Sequence, residues 1–379
     1  VNDGGPAAVT AAPPDFAHLA TRAVRGLRAY DPGHDLVAFR RRVGPALIEL
    51  GSNENPWGAS PAARAAVLDV LHDLHRYPDP LGGDLKCALA AAHGVDPSEI
   101  LLGNGSHELL MLFAQVFAGA GDEVVASQFG FAVYALAAQA AGATLRTAPA
   151  LPRDDAMPRG HDLDAIAAAI SPRTKLVYLA NPNNPTGTWF GLDALSRFLQ
   201  RVPREVLVVV DEAYAEFADD GATALTLRAA YPNLIVTRTF SKAYALAGLR
   251  VGFAIAHRDC IAVLERIRES FNVNMAGLAA AEAALGDADH LRWVLARNAE
   301  ERENLDRALT ARGWFVHPSR TNFVLVEFGP GAGAIESALL DRGIVPRPMG
   351  GYGLPECLRI TVGDRDENRR LLAALEAME

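Results

Sequence analysis

From about residue 100 to 256 the chain alternates short apolar runs with longer alanine-rich stretches. The runs are EILL (99–102), EVVAS (123–127), TLRT (144–147), KLVYLA (175–180), EVLVVV (205–210), NLIVTRT (233–239) and RVGFAIA (250–256). Several are apolar at consecutive positions rather than at every second one. That is expected of strands covered on both faces, as in a largely parallel sheet. HELLMLFAQVF (107–117) and VYALAAQAAGA (133–143) fill two of the gaps and predict helices. Strands and helices in alternation define an α/β class.

Beyond residue 272 the pattern changes. Long helical stretches, GLAAAEAAL (277–285) and the segment 287–313, lead to NFVLVEF (322–328) and further αβ units ending near LRITVG (358–363). We therefore expect a large domain over 51–272 and a smaller α/β domain over 273–379. Residues 1–50 form an arm that packs on the small domain. Its opening, VNDGGPAAVTAAPPDF, is rich in Ala, Pro and Gly and is expected to be disordered.

At 379 residues and 50% hydrophobic, the chain has ample material for such a core. The net charge of -9 argues against nucleic acid or an anionic membrane as the main partner. Three scattered cysteines, Cys87, Cys260 and Cys357, form no metal or disulfide spacing, so a reducing, cytoplasmic setting is expected. No apolar run reaches the length of a membrane span.

In open α/β sheets ligands sit beyond the carboxyl ends of the strands. Here those ends lead into Gly103-Asn104-Gly105-Ser106, Asn181 to Gly187, Asp211-Glu212-Ala213-Tyr214 and Ser241-Lys242. A glycine turn before a helix can cradle phosphate, although alone it is usually just a turn. Asp211 closes a continuously apolar run, and a buried carboxylate needs a cationic or hydrogen-bonding partner. A lone lysine commonly snorkels to water. At a buried strand end, however, Lys242 can lose its proton by desolvation and attack a carbonyl. A lysine for an aldehyde together with an acid for a pyridinium nitrogen is the pair that pyridoxal phosphate requires. Ser106, Ser241 and Arg250 supply a phosphate clamp, and Tyr214 and Asn184 supply partners for a ring oxygen.

Two other patterns carry less. Gly329, Gly331 and Ala334 between a strand and a helix resemble a dinucleotide fingerprint, but no acid ends the next run, GIVPRP. His72 and His75 lack a third ligand nearby, so no metal is expected.

With these residues assembled, the chain resembles a fold-type I pyridoxal-phosphate aminotransferase, and within that group the histidinol-phosphate aminotransferase family. The motifs that carry the resemblance are SNENPWG (52–58), RYPDP (76–80), GNGSHELL (103–110), FAVYALAAQAAGA (131–143), NPNNPTG (181–187), DEAY (211–214), RTFSKAYALAGLR (238–250), TNFVLV (321–326) and RPMGGYGLPECLRITVG (347–363). The resemblance implies a large domain with a mainly parallel seven-stranded sheet and a smaller α/β domain. It implies that Lys242 bonds the cofactor aldehyde and shuttles a proton, that Asp211 pairs with the ring nitrogen, and that Tyr214 and Asn184 bond the ring oxygen. Phe131 would stack on the ring, while Gly105, Ser106, His107 through its backbone, Ser241 and Arg250 hold the phosphate. Arg359 would clamp the substrate carboxylate and Arg347 the distal anion, with Tyr30 and Asn53 lining the substrate pocket. Tyr77 would reach the partner subunit's site, so a homodimer is implied.

The family activity is amino transfer between histidinol phosphate and 2-oxoglutarate in histidine biosynthesis. Aromatic amino acid transamination needs almost the same residues. Decarboxylation of a threonine-phosphate type substrate and non-catalytic cofactor binding are further alternatives. The chain departs from the family pattern at His107, where Asp or Asn is expected, and at SFNVNMAG (270–277), which lacks a proline before FNVN.

Overall fold

The computed structural model describes residues 14–27, 33–218 and 221–378. Most of the opening stretch expected to be disordered, and Tyr30, lie outside the described residues. The strands in chain order are β1 Ile48–Glu49, β2 Ile100–Gly103, β3 Glu123–Ser127, β4 Thr144–Ala148, β5 Thr174–Ala180, β6 Leu207–Asp211, β7 Leu234–Thr239 and β8 Gly252–Ile255. They continue as β9 Phe315–Val316, β10 Phe323–Glu327, β11 Ile344–Val345, β12 Arg347–Pro348 and β13 Cys357–Thr361.

β2 to β8 form one seven-stranded sheet in the order β2-β8-β7-β6-β5-β3-β4. The pairs from β7 through β4 are all parallel, and β8 runs antiparallel to both of its neighbours. The sequence runs are continuously apolar because both faces are buried. Leu102, Val125, Val177, Val208, Val210, Val236 and Phe253 point into one core. Leu101, Val124, Leu176, Tyr178, Val209, Ile235 and Ala254 point into the other. The exception is β4, an edge strand whose TLRTA is largely exposed, whereas β2 at the other edge is buried. Several run boundaries move inward. β6 begins at Leu207, and β8 begins at Gly252 because Arg250 takes a left-handed conformation (φ 57°) that no strand accommodates.

A four-stranded antiparallel sheet, β12-β13-β10-β9, carries the C-terminal part. The helices Ala288–Thr310, Ala332–Asp341 and Arg365–Glu376 cover it through Leu305, Leu309, Leu339, Leu371 and Leu375. Segment 44–50 joins this part, because β1 pairs in parallel with β11 and the Leu50 carbonyl accepts from the Thr361 amide at 2.7 Å. The Gly329–Gly331 turn does precede a helix. That helix connects β10 to β11, however, and these strands belong to different sheets. It is no crossover between parallel neighbours, so the resemblance to a dinucleotide fingerprint is accidental.

Candidate active site

β5, β6 and β7 are in parallel register, with Ala180 beside Asp211 and Asp211 beside Thr237. Their carboxyl ends therefore open at one level. The chain after each end turns around a cavity of about 340 Å³. Its lining includes Ser52, Asn53, Ser106, His107, Phe131, Asn184, Asp211, Tyr214, Ser241, Lys242, Arg250, Arg347, Tyr352 and Arg359.

Asp211 is buried at the floor. Its Oδ1 accepts from Thr237 Oγ1 at 3.2 Å and from the Ala213 amide at 3.3 Å, and its Oδ2 accepts from the Tyr134 hydroxyl at 3.0 Å. Burial pushes the carboxyl up to about 6, and these donors restrain the rise. Tyr214 is also buried. Its hydroxyl accepts from Asn53 Nδ2 at 2.8 Å, and burial pushes the phenol up to about 12.

Lys242 lies across the cavity, with Nζ donating to the Ser52 carbonyl at 3.2 Å and the Asn53 carbonyl at 3.1 Å. Burial, then the positive charge of Arg359, pulls its ammonium down to about 7. The lysine is therefore ready to act as a neutral amine near neutral pH. Its backbone is tied to the SNENPWG loop, since Asn55 Nδ2 donates to the Lys242 and Ala243 carbonyls at 3.2 and 3.0 Å. Asn53 itself is left-handed (φ 55°), a strained conformation held by its contacts to Tyr214 and Thr361.

One end of the cavity is built for an anion. Gly105 opens the 13-residue helix Gly105–Phe117 at φ 78°, next to Ser106 and His107. A Cβ on Gly105 would overlap the Arg250 guanidinium, so the glycine lets that cation close on the helix end. Arg250 Nη1 donates to Ser241 Oγ at 3.4 Å. Burial and the Arg250 charge lower the His107 imidazole, which favours its neutral form here.

The other end carries two arginines. Arg347 and Arg359 face each other directly in the β12–β13 pairing, which places their side chains on one face. Arg359 is fixed from both sides, donating to Asn184 Oδ1 at 2.7 Å and the Gly51 carbonyl at 2.5 Å. Gly33 packs against the Arg347 guanidinium, where a Cβ would overlap it. This brings the chain just after the undescribed segment 28–32 to the cavity mouth.

Of the residues singled out from the sequence, Tyr30 lies outside the described residues. Tyr77 does not line its own chain's cavity; it is exposed and stacks on Phe271 at 4.6 Å. Gly105 borders the cavity through Arg250, and the remaining twelve line it. Sequence reasoning missed Ser52, Thr239, Tyr352 and Tyr134. Ser52 and Tyr352 sit in motifs already picked out, beside Asn53 and within RPMGGYG. Tyr134 lies in an alanine-rich helix and reads as core. Among the described residues, no group of three or more His, Cys, Asp or Glu side chains could hold a metal, and no helix is long and apolar enough to cross a membrane.

The model of the aminotransferase class I and II family matches residues 45–375. A histidinol-phosphate aminotransferase of Pseudomonas aeruginosa is 46% identical over 366 residues, covering 95% of this chain and 98% of that protein. One from Methylococcus capsulatus is 45% identical, covering 94% and 97%. Among solved structures, the histidinol-phosphate aminotransferase of Sinorhizobium meliloti in complex with pyridoxal 5′-phosphate superposes with a TM-score of 0.86 at 33% identity, covering 95% of this chain and 98% of that one. An aspartate aminotransferase of Thermus thermophilus shares the fold at a TM-score of 0.82 and 22% identity.

Proposed function

Because the chain belongs to the class I and II aminotransferases, and among them to the histidinol-phosphate aminotransferase family, we propose that it moves an amino group between histidinol phosphate and 2-oxoglutarate. The products are imidazole acetol phosphate and glutamate, a step of histidine biosynthesis, with pyridoxal 5′-phosphate as cofactor. The observation that carries the substrate reading is the arginine pair. Arg347 and Arg359 meet across one strand pairing and line the cavity that holds Lys242 and Asp211.

The donor set fits the cofactor. A lysine, a buried carboxylate and a phenol occupy the middle of the cavity. An anion cradle of helix end, serines and arginine occupies one side, and the Gly105 hydrogen leaves room for Arg250 there. When bound, pyridoxal 5′-phosphate supplies an aldehyde for amines and a pyridinium ring that accepts electrons left when a Cα proton departs. In this reading Asp211 holds the proton on the ring nitrogen, and Tyr214 and Asn184 orient the ring through its oxygen. Phe131 covers one face. Ser106, Ser241, Arg250 and the helix end at Gly105 and His107 fix the phosphate. Lys242, as the free amine, would carry the substrate's Cα proton to the C4′ carbon of the cofactor.

Arg359 meets the α-carboxylate of glutamate, held ready by Asn184 and Gly51. Arg347 meets the distal anion, which is a phosphate in one half-reaction and a carboxylate in the other. Guanidinium suits both because it makes paired bonds to either group. Asn53, which already supports Tyr214, completes the substrate pocket.

The assembly we propose is a homodimer in the cytoplasm, with Tyr77 reaching the partner's site. Leu68, Leu71, Leu74, Tyr77, Leu81 and Phe271 are all exposed apolar side chains, which supports that reading.

The test is single-turnover kinetics with histidinol phosphate, glutamate and phenylalanine for the wild type, Arg347→Ala and Arg359→Ala. Loss of one partner of a buried charge pair costs about 2–5 kcal/mol. Arg347→Ala should therefore cripple histidinol phosphate and glutamate and spare phenylalanine. Arg359→Ala should hurt both substrates that carry an α-carboxylate. Equal losses on phenylalanine and histidinol phosphate in Arg347→Ala would refute the distal-anion role and with it the substrate assignment.

A further inference from the structure

We propose that Tyr134 is a positioning residue that keeps the Asp211 carboxylate ionised and aimed into the cavity. The proposal rests on reading that cavity as a pyridoxal phosphate site. Tyr134 is 1% exposed, and its hydroxyl donates to Asp211 Oδ2 at 3.0 Å. The ring is locked in place. It stacks on Tyr178 with centroids 4.8 Å apart and planes within 2°. Tyr178 is itself pinned by its hydroxyl donating to the Leu110 carbonyl at 2.7 Å.

A phenylalanine would fill the same stack. The hydroxyl adds nothing to that packing, and a buried hydroxyl costs stability unless it is bonded. Here its bond goes to the one carboxylate at the cavity floor. Tyr134 also belongs to the same helix start as Phe131, and its amide donates to the Phe131 carbonyl at 2.9 Å. One short segment thus supplies a ring at the cavity wall and a donor beneath the floor.

The remaining groups around Asp211 do not duplicate this. Thr237 on β7 and the Ala213 amide both serve Oδ1. Glu212, next in the chain, and burial both favour the protonated acid, and Tyr178 stands behind Tyr134 from β5. Tyr214, Lys242, Arg250, Arg359 and His107 lie around the cavity above. Removing the Tyr134 donor therefore favours a neutral Asp211, which no longer holds a proton on a ring nitrogen.

The experiment compares two ligands on the apoprotein by fluorescence titration: pyridoxal 5′-phosphate and its deaza analogue, in which carbon replaces the ring nitrogen. Wild type should prefer the nitrogen ligand. Tyr134→Phe should cut that preference by roughly tenfold or more, the scale of one hydrogen bond to a charged group, while leaving affinity for the deaza analogue unchanged. Tyr178→Phe, which loses a buried hydrogen bond away from Asp211, should keep the wild-type preference. Incorporation of 3-fluorotyrosine in place of Tyr134, which preserves the ring and strengthens the donor, should raise the preference and serves if the phenylalanine variant does not fold. Equal weakening of both ligands in Tyr134→Phe, or an unchanged preference, overturns the proposal. Failure of wild type to bind pyridoxal phosphate at all overturns the cavity reading beneath it.

Discussion

A lysine that forms covalent bonds at neutral pH must be neutral there, and the surroundings of Lys242 set how far that condition is met. Its ammonium falls from the usual 10.5 to about 7, through burial first and then the charge of Arg359, with Glu54 opposing. At pH 7 about half of the side chains are then neutral, against roughly one in 3,000 for an ordinary lysine, from tenfold per pH unit. The apoprotein should therefore react with pyridoxal, which lacks the phosphate, at a rate that climbs about tenfold per pH unit up to about 7 and then levels. The reactive form is the deprotonated one and the folded value is depressed, so reactivity is gained as pH rises through about 7. Borohydride reduction followed by peptide mass spectrometry reads the adduct, and Lys242→Ala should give none at this site. Arg359→Leu should move the plateau to higher pH, though short of an ordinary lysine because burial remains. The same proton difference makes the apoprotein's stability rise with pH between about 7 and 10.5, where the unfolded chain holds a proton that the folded chain lacks. A wild-type rate that keeps rising to the value of free lysine would refute the depressed lysine.

Two further changes probe the supports of the site. Gly105→Ala places a Cβ on the Arg250 guanidinium at a left-handed position that costs about 1–2 kcal/mol for any side chain. Affinity for pyridoxal phosphate should fall about tenfold while affinity for unphosphorylated pyridoxal holds, as titration would show; equal losses for both ligands would refute the anion cradle. Arg238→Met removes the partner of Glu212, a buried carboxylate paired with Arg238 Nη2 at 2.7 Å beneath the Asp211 strand end. Urea unfolding should register a loss of about 3–5 kcal/mol, part of it recovered when Glu212→Gln is added. No recovery in the double variant would show that the arginine stabilises through Glu216 or packing rather than through Glu212.

The floor of the site was legible because each residue there interrupts a pattern. Asp211 ends an apolar run and Lys242 follows another, and chemistry of that kind at a buried strand end has few structural excuses. Tyr134 lies within FAVYALAAQAAGA but was given no role, because an aromatic residue in an alanine-rich helix satisfies the core pattern whether or not its hydroxyl bonds anything; only the fold brings it within 3.0 Å of a residue 77 positions away. Arg347 and Arg359 could be named through the resemblance, but their mutual placement depends on an antiparallel register that no local signal encodes. The strand ends were less sharp. Arg250 looks like the first residue of an apolar run, yet its left-handed backbone turns it out of the strand and towards Ser241.

The placement of the two arginines has a consequence for how one site serves two substrates. The proposed cofactor end stands on the seven-stranded sheet, where Asp211, Thr237 and Ala180 are locked in adjacent register. The proposed substrate end stands on the four-stranded sheet. Arg359 bridges the two, anchored on β13 yet bonded to Asn184 beyond the end of β5 and to Gly51. Its position is thereby fixed relative to the cofactor end, as the proposed clamp for the α-carboxylate of glutamate requires; histidinol phosphate has no such group. Arg347 has a different setting, on the outermost strand of the small sheet and against Gly33 of the arm. In the proposed reading this edge-strand guanidinium is the group that meets the two distal anions, the phosphate of the amino alcohol and the carboxylate of glutamate. On that proposed reading, what differs between the two substrates is met at the edge strand and the arm, while the reacting carbon stays beside Lys242.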